Sequence, residues 1–327
     1  MSRKFVRTYL VSLLFCLLIL SIYSTRAATS ESELIEPTQI NEIINRLKVL
    51  LKENYVFEDV GIKYSDGLNK IESTNKLFTA SHAMLLQKQL SEIVNNIYPD
   101  GHLRVFAPAL TQQLSNSSNF TEPSINKKEK EEFISIESND NYVHLIIHSF
   151  PDGDIYYKEV VDVLSSISPQ KSIIVDLRDN LGGSAKTARI FMNCFLSKDT
   201  PLFGKSVRVG PDKGEHKFYA NSSGSCKKTV RNQLAILVNK NSASGAELLT
   251  LILKNRSRAI IIGQKTYGAG HPVELYNLPY GFSVLIPIST IYDLVSGENF
   301  ELKGVVPNVE TPIGQELTTA ISILIRE

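Results

Sequence analysis

From Phe133 onward, short apolar runs alternate with segments of helix length, and this alternation constrains the fold more than any other feature. The runs are Phe133–Glu137, Tyr142–His148, Ser172–Leu177, Leu234–Val238, Ala259–Gly263 and Phe282–Pro287. Between them Tyr156, Val160, Val163, Leu164 and Ile167 share one helical face, and further helices are predicted over Ala185–Leu196, Ser244–Lys254 and Gln315–Ile325. Strands separated by helices predict an α/β domain over residues 133–327.

The preceding part has a different period. Ile40, Ile43, Ile44, Leu47, Leu50 and Leu51 recur at helical spacing, as do Leu86, Leu90, Ile93, Val94 and Ile97. Residues 28–101 therefore read as a small N-terminal helical domain, closed by the turn Pro99-Asp100-Gly101. A short strand begins near His102, and a Pro-, Ser-, Asn- and Lys-rich stretch follows. Residues 102–132 are accordingly read as a strand with an exposed connection. Its run from Lys127 to Glu132 is mixed in sign, as on a solvated surface.

Residues 1–27 resemble a cleaved export signal. Arg3, Lys4 and Arg7 precede an apolar run from Tyr9 to Tyr23, and Thr25-Arg26-Ala27 offers small residues where a signal peptidase reads. The run is short for a membrane span, although an uncleaved anchor stays open as the alternative. The expectation is a secreted or periplasmic protein with no stable membrane insertion after signal cleavage. Removing Cys16 leaves Cys194 and Cys226, which an oxidising compartment would allow to pair; the sequence leaves the pairing open. Neither has a histidine or second cysteine at ligand spacing, so no zinc site is expected at them, nor any other metal or cofactor. With 35 basic and 34 acidic residues, the chain lacks the basic excess of a protein built to grip nucleic acid.

Three places carry chemistry. In Asp176-Leu177-Arg178-Asp179-Asn180-Leu181-Gly182-Gly183-Ser184 a strand runs into a glycine turn and then a helix. A tight turn explains this, and so does a backbone that presents N–H groups to an anion. In Asn241-Ser242-Ala243-Ser244-Gly245-Ala246-Glu247, Ser244 falls at a helix start with Glu247 three residues on. This is the spacing of a capping box and equally a place where helix N–H groups can stabilise an oxyanion. His102 is the one histidine of six that follows an Asp-Gly turn at a domain boundary, and imidazole is suited to take a serine proton.

Together these segments resemble the tail-specific, C-terminal-processing serine peptidase family, in the branch similar to interphotoreceptor retinoid-binding protein and the tricorn core. The matching motifs are Asp100-Gly101-His102-Leu103, Asp176 to Gly183, Ser242 to Glu247, Gly263-Gln264-Lys265-Thr266-Tyr267-Gly268 and Gly304-Val305-Val306-Pro307-Asn308. Tyr55-Val56-Phe57 and Ser65-Asp66-Gly67-Leu68 add to them. The resemblance implies a crotonase/ClpP-like ββα spiral core with a small N-terminal helical domain. It implies Ser244 as nucleophile, His102 as general base, Glu301 as the acidic support of the histidine, and the amides of Gly182 and Gly245 as oxyanion hole. The activity implied is that of a serine endopeptidase acting on unfolded or extended polypeptide, with no cofactor.

The chain departs from the family in three ways. Ala269 stands where the lysine-using branch places its base, so a Ser–Lys dyad of that kind is missing, and Lys265 belongs to another motif position. Gly101 stands where tricorn-like members have a serine linking histidine to glutamate. The stretch from His102 to Phe133 is too short for a PDZ domain. The alternative is an inactive carrier or binding module for apolar ligands, of the retinoid-binding-protein type. An acyl-CoA enzyme of crotonase type is disfavoured by the signal segment and the Ser–His pair. A homo-oligomer stays open.

Overall fold

The computed structural model describes residues 34–72, 82–111, 133–221, 226 and 230–325. The signal segment 1–27 and most of the connection 102–132 lie outside the described residues. The helices are α1 (Pro37–Asn54), α2 (Glu58–Glu72), α3 (Ala83–Ile97), α4 (Asp154–Ser166), α5 (Ala185–Phe195), α6 (Gly245–Asn255) and α7 (Glu316–Leu324). The strands are β1 (Arg104–Phe106), β2 (Ile134–Ser138), β3 (Tyr142–Ile147), β4 (Ser172–Asp176), β5 (Pro201–Val207), β6 (Gly214–Tyr219), β7 (Leu234–Val238), β8 (Ile260–Gly263), β9 (Val273–Asn277), β10 (Ser283–Pro287), β11 (Ser289–Asp293) and β12 (Val309–Glu310).

The central sheet has the order β12-β8-β7-β4-β3-β2. Every pair in it is parallel except β2 with β3. All five residues of β4 and of β7 are buried, because helices cover both faces. The period of two divides their side chains. Ile173, Val175, Ile236 and Val238 enter the large core with α4, α5 and α6, whereas Ile174, Ala235 and Leu237 meet Ala320 and Leu324 of α7. The α/β fold expected from the alternation is the one observed.

The helical stripes also lie where their spacing places them. Ile40, Ile43, Ile44, Leu47, Leu50 and Leu51 are the buried residues of α1, and Leu86, Leu90, Ile93 and Val94 are among those of α3. They close around Tyr55 and Tyr64, fully buried, with ring centroids 5.1 Å apart. Val105, Phe282, Val284 and Ile286 join the same cluster. Val105, Val284 and Ile286 come from the antiparallel sheet β1-β10-β9, and Phe282 directly precedes β10; the sheet lies against the helices and carries late segments of the chain to them.

The second small sheet, β11-β5-β6, is also antiparallel. Strands β5, β6, β9, β11 and β12 are absent from the sequence reading. β6 (Gly-Glu-His-Lys-Phe-Tyr) and β9 (Val-Glu-Leu-Tyr-Asn) are largely solvent-facing and lack an apolar run, so their pairing rather than their composition makes them strands. Among the described residues, no helix is long and apolar enough to cross a membrane.

Candidate active site

Three adjacent parallel strands, β4, β7 and β8, send their carboxyl-terminal loops to one place, the usual ligand position on an open α/β sheet. The loops after β4 and β7 are laced together. Asn239 Oδ1 accepts from the Asp179 and Asn241 amides, both at 3.0 Å, and Asp179 Oδ1 accepts from the side-chain amides of Asn239 and Asn241 at 2.9 and 2.7 Å. Ser242 Oγ donates to Leu177 O at 2.7 Å, and the Ala243 amide donates to Asn180 O at 2.9 Å.

Ser244 is the residue before α6, with φ 52° and ψ −115°. A non-glycine residue rarely sits there, and such strain persists only where the surroundings over-determine it. The surroundings are Gly182 and Glu247. A Cβ on Gly182, whose φ is +95°, would stand 2.6 Å from Ser244 Cβ and 2.8 Å from Gly245 N, so only glycine lets this loop approach the serine. The Glu247 carboxylate accepts from the Ser244 amide at 3.0 Å, the expected capping interaction.

Glu247 does more than cap. Its two oxygens also accept from Thr266 Oγ1 at 2.5 Å and from the Gly268 and Ala269 amides at 2.7 Å each. Burial pushes its carboxyl up, and these four donors oppose that. Ala269 is buried beside this carboxylate, and Lys265 is exposed. The next amide, Gly270, donates to Glu301 Oε2 at 2.5 Å. The strand-free segment 268–270 therefore ties the serine's anchor to Glu301, which lies 3.3 Å from His102 Nδ1. Glu301 reaches the histidine directly, past Gly101, whose missing side chain leaves 3.9 Å to Glu301 Oε1. No hydrogen bond joins Ser244 Oγ to His102 among the described residues.

His102 is placed from below by Asp100. Its Oδ1 accepts from the His102 and Leu103 amides at 2.7 and 3.2 Å, and its Oδ2 accepts from Tyr55 Oη at 2.6 Å. Burial raises the Asp100 carboxyl, but His271, Tyr55 and the His102 amide outweigh it and hold it at about 2. The same contact, with burial the larger cause, pushes the Tyr55 phenol well up.

His271 has no signal in the sequence, yet it is buried beside Asp100 and Glu301, with its ring 6.3 Å from that of His102. Register explains the meeting. Strands β1 and β9 flank β10, with Arg104 and Leu275 both opposite Leu285, so both start at the same end of the sheet, and each histidine lies two residues before its strand.

The two proposed oxyanion donors differ. Gly245 N–H, at the start of α6, donates to no acceptor among the described residues, whereas Gly182 N–H donates to Asn180 Oδ1 at 2.7 Å. Asn180 is fully buried and its amide is fixed on Ile147 O at 2.7 Å. Arg178 braces the loop from outside, bonding the buried carboxylates of Asp176 at 2.5 Å and Glu316 at 3.0 Å.

The profile of peptidase family S41 matches residues 141–311, which include Gly182, Ser244, Glu247, His271 and Glu301. The chain is 30% identical over 141 residues to carboxyl-terminal-processing peptidase 2 of Arabidopsis thaliana chloroplasts, covering 43% of this chain and 26% of that protein. It is 27% identical over 161 residues to a carboxyl-terminal-processing protease of Synechocystis, covering 48% and 36%. The chain thus spans about a third or less of the curated relatives it matches. The fold is similar to that of the photosystem II D1 C-terminal processing protease, with a TM-score of 0.60 at 13% identity over 89% of this chain and 98% of that one. It is also similar to tricorn protease, with a TM-score of 0.51 at 13% identity over 86% and 35%. With its profile match over more than half of the sequence and the loops after β4, β7 and β8 inside it, the chain belongs to peptidase family S41.

Proposed function

We propose that the protein is a secreted or periplasmic serine endopeptidase that cleaves unfolded or extended polypeptide through Ser244 and His102. The single observation that carries this reading is the strained Ser244 at the start of α6, connected through Glu247 and residues 268–270 to the Glu301–His102 pair. Glu301 Oε2 lies 3.3 Å from Nδ1 of His102 without a formed hydrogen bond; as substrate closes the site it accepts the hydrogen bond of the Nδ1 proton and leaves Nε2 to take the proton as Ser244 Oγ attacks the scissile carbonyl. Gly245 N–H, unpaired at a helix start, and Gly182 N–H stabilise the oxyanion. The Gly182 donor is shared with Asn180 Oδ1 or released from it as the charge forms. His102 then protonates the leaving amine. The exposed Lys265 and the buried Ala269 support the histidine over a lysine base.

The Cys194–Cys226 disulfide supports export, since such bonds persist in oxidising compartments. The carrier alternative has less support. The helical core is filled by its own side chains, and a cleft of about 470 Å³ beside α1 is lined by Glu53, Glu58, Arg208 and Lys213 among others.

The test is a fluorophosphonate label, mapped by mass spectrometry. Wild-type protein is expected to be modified at Ser244, with no modification in Ser244→Ala and at least about a hundredfold slower modification in His102→Ala. Labelling of His102→Ala at the wild-type rate would remove the histidine from the mechanism.

A further inference from the structure

Asp100, His102, His271 and Glu301 each offer one ligand atom, and these atoms lie within 4.8 Å of one another. His102 Nδ1 is 3.3 Å from Glu301 Oε2 and 3.9 Å from Asp100 Oδ1; His271 Nδ1 is 3.5 Å from Asp100 Oδ2 and 3.7 Å from Glu301 Oε2. A tetrahedral zinc ion with bonds near 2.0–2.2 Å has ligand-to-ligand edges of about 3.3–3.6 Å. These four contacts differ from such edges by a few tenths of an ångström, with Asp100 offering Oδ1 to one histidine and Oδ2 to the other; across the whole cluster of 4.8 Å, binding requires a contraction of up to about 1.2 Å.

These contacts are not a completed hydrogen-bond network. Among the described residues, His102 Nδ1, His271 Nδ1 and Glu301 Oε1 are all buried without a hydrogen-bond partner. The His271 side chain is only 7% exposed, and its unpaired nitrogen faces both carboxylates. Buried polar atoms without partners are uncommon, and three at one point call for an account. A divalent cation supplies one, because it would occupy both imidazole nitrogens and neutralise two carboxylates together. The surroundings are those of a ligand set held from outside: Tyr55 Oη and two backbone amides orient Asp100, and Gly270 N–H orients Glu301. Two imidazoles select zinc-like transition metals over magnesium or calcium.

We propose that Asp100, His102, His271 and Glu301 form a binding site for a divalent transition metal of the zinc type, and that its occupancy switches off the serine peptidase. Binding does not depend on the Ser–His reading; the switch rests on it. A metal on Nδ1 leaves a neutral His102 with its proton on Nε2, and that nitrogen then has no lone pair for the Ser244 proton. The same four residues would thus orient the base in the metal-free protein and remove it from use in the metal-bound one.

The full chain, stripped with a chelator, would be titrated with Zn²⁺ against a chromophoric chelator. The visible spectrum of bound Co²⁺ would report the coordination, and fluorophosphonate labelling would be followed over the same zinc range. One Zn²⁺ per chain is expected, with a four-coordinate Co²⁺ spectrum. Binding should weaken about tenfold or more in His271→Gln and in Asp100→Asn, each checked for folding by its melt, and return in His271→Cys. Labelling of the wild type should slow as the site fills. Absence of stoichiometric binding, or equal binding by wild type and both variants, overturns the site. Binding that leaves the labelling rate unchanged overturns the switch. Binding lost in the variants, together with no labelling at any zinc level, upholds the site and sinks the peptidase reading and the switch with it.

Discussion

Replacing Glu247 by glutamine tests the anchor on which the serine depends. The substitution keeps shape and volume but exchanges one acceptor oxygen for an NH₂ group. The Ser244 and Ala269 amides meet one oxygen of Glu247, and Thr266 Oγ1 and the Gly268 amide meet the other. Three of the four are N–H groups that cannot reverse. The best placement turns the new NH₂ towards Thr266, whose hydroxyl can accept, and leaves the Gly268 N–H facing another donor. A buried donor without a partner costs about 1–3 kcal/mol, and the bonds kept weaken from charge-assisted to neutral by roughly 1 kcal/mol each. The expected loss is about 3–5 kcal/mol, or about 6–20 °C in melting temperature for a domain of this size. Denaturant titration and thermal melts of both proteins measure it. Fluorophosphonate labelling of Ser244 should slow beyond what the unfolded fraction explains, because the serine's backbone anchor and the 268–270 segment loosen together. A loss under about 1 kcal/mol would refute the reasoning, because it would mean that the native carboxyl is already protonated and glutamine is its isostere.

Arg178→Met should cost about 3–5 kcal/mol, read from denaturant midpoints, because it leaves the buried Asp176 and Glu316 carboxylates without their shared cation. Burial raises both carboxyls, but His144 and Arg178 at Asp176, and Gln264, the amide groups and Arg178 at Glu316, outweigh it and hold both low. Their contribution is therefore present above the unfolded carboxyl value and is lost as pH falls. His144 runs the other way: burial lowers it, yet its bonds to Asp176 and Glu137 outweigh that and raise it above the ordinary histidine value. Its stabilisation is complete below about pH 6.5 and lost as pH rises through the folded value, so His144→Gln should lower the melting temperature more at about pH 5.5 than at about pH 8.5. A constant difference would count against a charged His144. Cys194 and Cys226 close a span of 32 residues, so the double serine variant should lose about 3–4 kcal/mol, measured by the shift in denaturant midpoint against non-reduced wild type.

The sequence by itself determined what depends on neighbours a few residues away. The stripe of α1, the buried runs of β4 and β7, and the Ser244–Glu247 spacing each fit within a single helix or strand. In these the 3.6- or 2-residue period and the cap chemistry are set by the local chain. The resemblance added roles for Ser244, His102 and Glu301, and the structure brings Glu301 to His102 without the serine that Gly101 replaces.

Only the tertiary structure decided the rest. Strands β6 and β9 have no apolar run and exist because a partner strand satisfies their backbone. The acceptors that Glu247 offers to Gly268 and Ala269, the hold of Asn180 on Gly182, and above all His271 arise from residues far apart in the chain. Asp100 and His271 meet because β1 and β9 start at the same end of one sheet. Such a meeting depends on strand order and register across the whole fold, and no window of sequence contains both.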